Sequence, residues 1–164
     1  MEPLLVICPQ AEENPRLSAV LSHALEGRPH VKVQRPDELH PVTGQRVLFA
    51  VSLLHGGVNL GWYAMLPAIR QDSRFFDGCC GAVLVDGDGE LYTKSAAREI
   101  VFAANQAGCA FMGAPLVEAT GSLENSTSGP CCGTRTIWVP TPPAPVSWWT
   151  ACWRIRRRCG SIPI

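Results

Sequence analysis

Asp86 to Glu90 (DGDGE) sets three carboxylates around two glycines directly after an apolar run, a spacing that invites a calcium loop. The register does not support one. With Asp86 and Asp88 at loop positions 3 and 5, Gly89 falls at 6, but Leu84 then stands at position 1 and Ser95 at 12, where carboxylates are needed. Cys79 and Cys80 are adjacent instead of forming a C-x-x-C redox pair, and His55 has no sequence partner that would make a nucleophile or a zinc site. These side chains read as structural thiols and a loop histidine, with no metal and no catalytic side chain of the chain's own. The chemistry, if any, must come from a bound group.

The elements that would position such a group follow from length and patterning. With 164 residues, 46% of them apolar and 17% charged, the chain is long enough for one globular core. It has no run of 18 apolar residues, and Met1 to Val6 enters a strand without a basic or long apolar leader, so the expectation is a cytoplasmic protein with no membrane and no nucleic-acid partner. A chain of this size needs no disulfide framework, and Cys8, Cys79, Cys80 and Cys109 in or beside apolar runs read as buried free thiols.

Leu4 to Cys8 (LLVIC) suits a strand buried on both faces. From Arg16 to Leu25, Leu17, Val20, Leu21, Ala24 and Leu25 recur at helical spacing, with Gly27 and Pro29 as a stop. Val31 to Val33 and Gln45 to Leu54 are further strands, Asn59 to Arg70 reads as a helix carrying Pro67, and Gly81 to Val85 is a buried strand. Thr93 is expected to cap a helix with Ala96, Ala97, Ile100, Val101, Ala104 and Ala107 on one face and Lys94, Arg98 and Glu99 on the solvated one. Cys109 to Met112 begins a last strand. Apolar strands alternating with amphipathic helices predict an α/β three-layer sandwich with a parallel sheet. Ligands of such sheets bind at the carboxyl ends of the strands where strand order reverses, which singles out Pro9 to Arg16, Leu54 to Leu60 and Asp86 to Thr93.

Over residues 3 to 125 the chain resembles the flavodoxin-like NAD(P)H-dependent FMN reductases. Three stretches carry the resemblance: FAVSLLHGGVNLGWYAMLPAIRQD (Phe49 to Asp72), GAVLVDGDGELYTKSAAREIVFAANQAGC (Gly81 to Cys109) and PLVEATGSLEN (Pro115 to Asn125), the last resembling the lead into that family's terminal helix. The resemblance implies FMN as cofactor and NAD(P)H as reductant, with a flavin, quinone or other small molecule as electron acceptor, in a homodimer or tetramer. It implies that Leu54, His55, Gly56 and Gly57 pass one side of the flavin ring while Gly87, Asp88, Gly89, Leu91 and Tyr92 flank the other. The family's first loop often reads G-S-x-R-x-x-S and holds the FMN phosphate with amides and hydroxyls at a helix start. Here that loop is CPQAEENPRLS (Cys8 to Ser18), in which Pro9 and Pro15 lack amide donors and Glu12 and Glu13 add negative charge. Gln10, Asn14, Arg16 and Ser18 are left to serve an anion. Two other readings remain open: a flavodoxin-type electron carrier, and a flavodoxin-like binding domain without cofactor.

After Glu124 no acidic residue occurs. Residues 1 to 125 carry all 14 acids against nine of the 14 Lys and Arg; residues 126 to 164 hold five Arg, four of the five Trp, six of the 14 Pro and half of the eight Cys. A charge of −5 is thus joined to one of +5, and the net of zero hides both. PTPPAP (Pro140 to Pro145), RIRRR (Arg154 to Arg158) and the Cys131–Cys132 pair imitate ligand motifs, but GC-rich DNA translated out of frame yields the same composition. With one nucleotide lost after codon 125, the genetic code forces Cys131–Cys132 to restore Leu, Trp138–Val139 Gly, Trp148–Trp149 Val, Trp149–Thr150 Asp and Cys152–Trp153 Leu. These choices are compatible with an amphipathic terminal helix. The expectation is a domain of residues 1 to 125 lacking its terminal helix, followed by a frameshifted tail without packed structure. Independent sequencing of the gene across codon 126 should show a second frame that continues the domain; an uninterrupted, confirmed single frame overturns the idea.

Overall fold

The computed structural model describes residues 2–53, 58–87, 92–119 and 122–125. The chain begins with β1 (Leu4–Ile7), whose four residues are all buried. A single 3-10 turn, Ala11–Glu13, leads into helix α1 (Pro15–Leu25), which buries Leu17, Leu21 and Leu25 along one stripe at spacing four. Then come β2 (His30–Val33), β3 (Arg46–Ser52), α2 (Leu60–Gln71), β4 (Cys80–Asp86) and α3 (Thr93–Gln106). Three short strands close the described chain: β5 (Ala110–Phe111), β6 (Leu116–Ala119) and β7 (Ser122–Asn125).

The sheet runs β2-β1-β3-β4-β6-β7, with β5 also paired to β4. All pairs are parallel except β6–β7, which is antiparallel. The expected parallel sheet is therefore present, and strand order reverses between β1 and β3. The register Leu5↔Val47↔Gly81 and Ile7↔Phe49↔Val83 puts alternate residues on one face. There they form a single core with Trp62, Met65, Leu66 and Ile69 of α2 and Ala97, Ile100, Ala103 and Ala104 of α3. Leu4, Val6, Leu48 and Ala50 point to the opposite face, where α1 lies. Helices on both faces complete the three layers.

Phe49, wholly buried, is the hub of the larger core. Its ring meets Trp62 and Phe76 edge-on at centroid distances of 6.0 and 5.5 Å and tilts against Phe111 at 5.9 Å. Cys8, Cys79, Cys80 and Cys109 form no disulfide with one another; three are buried as expected, and Cys80 is half-buried. Burial pushes the Cys109 thiol up to about 12 and raises that of Cys79, so both stay protonated and unreactive at neutral pH.

Two expectations, the cap of α3 and the single last strand, are corrected, while the helix carrying Pro67 is present as read. Tyr92 is the N-cap of α3, and Thr93 is its first helical residue with its side chain buried. Pro67 lies inside α2 without ending it, because it sits on the exposed face, where water can serve the carbonyl that loses its helical donor. The last parallel strand is broken: Cys80 pairs with Ala110 but Leu84 with Leu116, so the partner offset grows from 30 to 32 and residues 112–115 leave the ladder. PLVEATGSLEN supplies β6 and β7, with Leu116↔Asn125 and Val117↔Glu124 in register, and the helix expected to follow lies outside the described residues. The tail beyond 125 lies outside the described residues. No helix among them is long and apolar enough to cross a membrane.

Gly81 is required by packing. A Cβ there would lie 2.6 Å from a ring carbon of Phe111 and 2.7 Å from Cys109 Sγ, whereas one at Gly113 would meet nothing within 4 Å. Gly81→Ala should therefore destabilise the protein by about 1–3 kcal/mol in urea unfolding despite alanine's smaller backbone entropy cost. Gly113→Ala should change it little; equal effects of the two would refute the packing explanation.

Candidate functional site

The crevice between the carboxyl ends of β1 and β3 is built around one buried serine. Ser52, the polar residue that ends β3 after the apolar run Val47 to Val51, is fully buried. Two asparagines reach it, and each is also a helix N-cap. Asn14 accepts from the amides of Arg16 (2.9 Å) and Leu17 (3.0 Å) at the start of α1 and donates from Nδ2 to Ser52 Oγ at 2.6 Å. Asn59 accepts from the Trp62 amide (2.7 Å) at the start of α2 and donates from Nδ2 to the Ser52 carbonyl at 2.7 Å and the Pro9 carbonyl at 3.4 Å. A carboxamide suits this duty because it accepts and donates at once.

The loop after β1 closes on the start of α2 as well. Gln10 adopts the left-handed conformation (φ 54°), accepts from the Gly61 amide at 3.0 Å and donates to Glu13 at 3.1 Å. Gly61 permits this approach, since a Cβ there would stand 2.8 Å from the Pro9 Cβ. Beside Ser52 in register lies Asp86 at the end of β4, 1% exposed, with its carboxylate 3.8 Å from Arg16 Nε. The Leu53 amide donates to the Asp86 carbonyl at 2.7 Å, fastening the two strand ends together.

Of the residues expected to serve an anion, Gln10, Asn14 and Arg16 do converge here, and each is engaged within the protein. Ser18 is half-buried in the first turn of α1, its amide bonded to the Asn14 carbonyl. The amides of Ala11, Glu13 and Asn14 also bond within the loop, to the carbonyls of Cys8, Gln10 and Ala11. The start of α1 thus holds its own carboxamide where a phosphate would lie and, in this arrangement, does not fit one.

On the other loops, Gly87 is buried just past β4, while Tyr92 is 62% exposed at the start of α3. Leu54, His55, Gly56, Gly57, Asp88, Gly89 and Leu91 lie outside the described residues. Beyond the first turn of α2, Tyr63 donates to Glu99 of α3 at 3.0 Å, a bond that raises the Tyr63 pKa, and Arg70 stands 3.7 Å from the same carboxylate. Glu99 therefore ties two helices together, where a merely solvated face was expected. The buried Nε1 of Trp62 has no hydrogen-bond partner among the described residues. No group of three His, Cys, Asp or Glu suited to a metal ion is found among them either. A shallow depression lined by Leu25, Arg28, His30 and Lys32 lies at the amino ends of the strands, opposite the crevice, where the strand-order argument gives no reason to expect the main site.

Sequence reasoning missed Ser52, Asn59 and Gly61 as builders of this site. The signal was present as a lone hydroxyl in an apolar strand and an Asn directly ahead of a helix. What it could not show is that they share partners.

No family model matches the chain, and no curated protein is significantly similar to it. Among solved structures, the Streptococcus pneumonia TIGR4 flavodoxin is similar in fold, with a TM-score of 0.52 and 10% sequence identity over 76% of this chain and 87% of that one. This shows the fold, a flavodoxin-like α/β sandwich.

Asn59→Asp tests the bridge. The new carboxylate would still accept from Trp62 but would face the Ser52 carbonyl at about the present Asn59 distance of 2.7 Å with no proton to donate. The cost should be about 1–3 kcal/mol at neutral pH, larger than the roughly 0.3–1 kcal/mol a helix dipole returns to an N-terminal anion. A protonated carboxyl can donate to that carbonyl, so its folded pKa is raised above the ordinary value of about 4. The loss should then shrink as pH falls towards that range and be full above the folded pKa. Urea unfolding at pH 4 and 7 reads this, and a pH-independent loss would contradict the proposed bond.

Proposed function

We propose that this flavodoxin-like domain is a flavin-related oxidoreductase that takes electrons from NAD(P)H and delivers them to a flavin, quinone or other small acceptor at the carboxyl edge of the sheet. The observation that carries the reading is that the carboxyl ends of β1, β3 and β4 lie side by side at the point where strand order reverses, the general ligand crevice of open parallel sheets. The chain's own residues supply a frame. Asn14, Ser52 and Asn59 fix the two helix starts, buried Gly87 leaves room for close backbone approach, and exposed Tyr92 offers an aromatic face at the rim. The resemblance to NAD(P)H-dependent FMN reductases over residues 3 to 125 points the same way. When bound, a flavin supplies the hydride and electron chemistry itself, so no acid or base of the protein is required.

A second reading, a binding domain that keeps the fold without a cofactor, is favoured by the internally satisfied start of α1. One experiment separates them. The purified chain, incubated with a flavin and freed of excess, should show the flavin's visible bands and lose them anaerobically on addition of NADH or NADPH faster than a protein-free control. Bands that do not bleach favour an electron carrier, and absence of any bound flavin favours the binding domain.

A further inference from the structure

Resting on the flavin reading above, we propose that this crevice selects a flavin whose side chain carries no phosphate, such as riboflavin, over FMN, with Asn14 and Asp86 as the residues that set the preference. A helix start attracts an oxyanion through two things, unbonded amide donors and uncompensated positive potential. Both are used up here. Asn14 Oδ1 holds the amides of Arg16 and Leu17, the Asn14 carbonyl holds that of Ser18, and Pro15 has none to give. Asn14 is itself 7% exposed and anchored from below by Ser52, so swinging it aside would break a 2.6 Å buried bond as well as the cap.

The electrostatics add to this. Arg16 is the cation at this helix start, and it faces the buried Asp86 carboxylate at 3.8 Å. A phosphate dianion arriving at α1 would compete with Asp86 for the guanidinium and bring like charges together around it. A ribityl chain ending in a hydroxyl has no such conflict. It can donate to, or accept from, groups already paired without carrying charge into the loop. The ligand class is therefore a flat isoalloxazine with a neutral polar tail, which suits a diffusible substrate as well as a resident cofactor.

The test is a fluorescence-quenching titration of the full chain with riboflavin and with FMN. Riboflavin should bind at least about tenfold more tightly, the least expected from placing like charges together at a partly shielded site. Asn14→Gly frees the Arg16 and Leu17 amides; glycine is tolerated at an N-cap, and the loss of the buried partner of Ser52 adds to the cost. It should move the ratio of the two affinities towards FMN by about tenfold. Asp86→Asn, which removes the competing charge through a different residue, should move it the same way. A circular dichroism spectrum matching that of the unaltered chain serves as the check that each variant has folded. FMN binding as tight as or tighter than riboflavin by the unaltered chain overturns the selectivity and leaves the flavin reading standing. Binding of neither flavin overturns that reading and the selectivity with it.

Discussion

Everything at the carboxyl edge of this sheet depends on a buried serine with two asparagines hung from it. Ser52 offers its hydroxyl to Asn14 and its carbonyl to Asn59, and each asparagine spends its remaining oxygen on the amides of a helix start. Helix starts leave amides that must find partners, and a buried hydroxyl without one is costly. One residue at the end of a central strand answers both needs for two helices on opposite faces of the sheet. The consequence is geometric: α1 and α2 are located relative to β3 and therefore to each other. The loops between them inherit that placement.

The same economy determines what the crevice can attract. Flavodoxin-like sheets bring loop amides and helix starts to the switch point, and those groups can serve a ligand's phosphate or the protein's own side chains. In this chain they serve the protein. Asn14 and Gln10 place carboxamide oxygens on the amides of Arg16, Leu17 and Gly61, and Asp86 balances Arg16. The loop is stabilised without a ligand, and its anion affinity falls for the same reason.

On the far side of β4 the sheet is less finished. The outer strand is broken into β5 and β6 with two extra residues between its pairings, and β6 turns back into the antiparallel β7. Leu116 and Ala82 stay half-buried on the α1 face, while Leu17, Leu21 and Leu25 pack against the β1 and β3 side of it.

Much of this was legible in the sequence. Branched apolar runs fixed β1, β3 and β4, and three- and four-residue spacing fixed α1, α2 and α3, because burial periodicity is a local property of the chain. The strand-to-helix alternation dictated a parallel sheet with its ligand edge at the strand ends. Other features were decided only by the tertiary structure. The break between β5 and β6 is a register effect set by pairing with β4, and Glu99 became a tie between helices because α2 lies beside α3. Above all, the sequence showed Asn14, Ser52, Asn59 and Asp86 as four separate polar residues up to 72 positions apart. Hydrogen bonds act over 3 Å of space and take no account of distance along the chain, so only folding could show that these residues satisfy one another and leave the helix start closed to an anion.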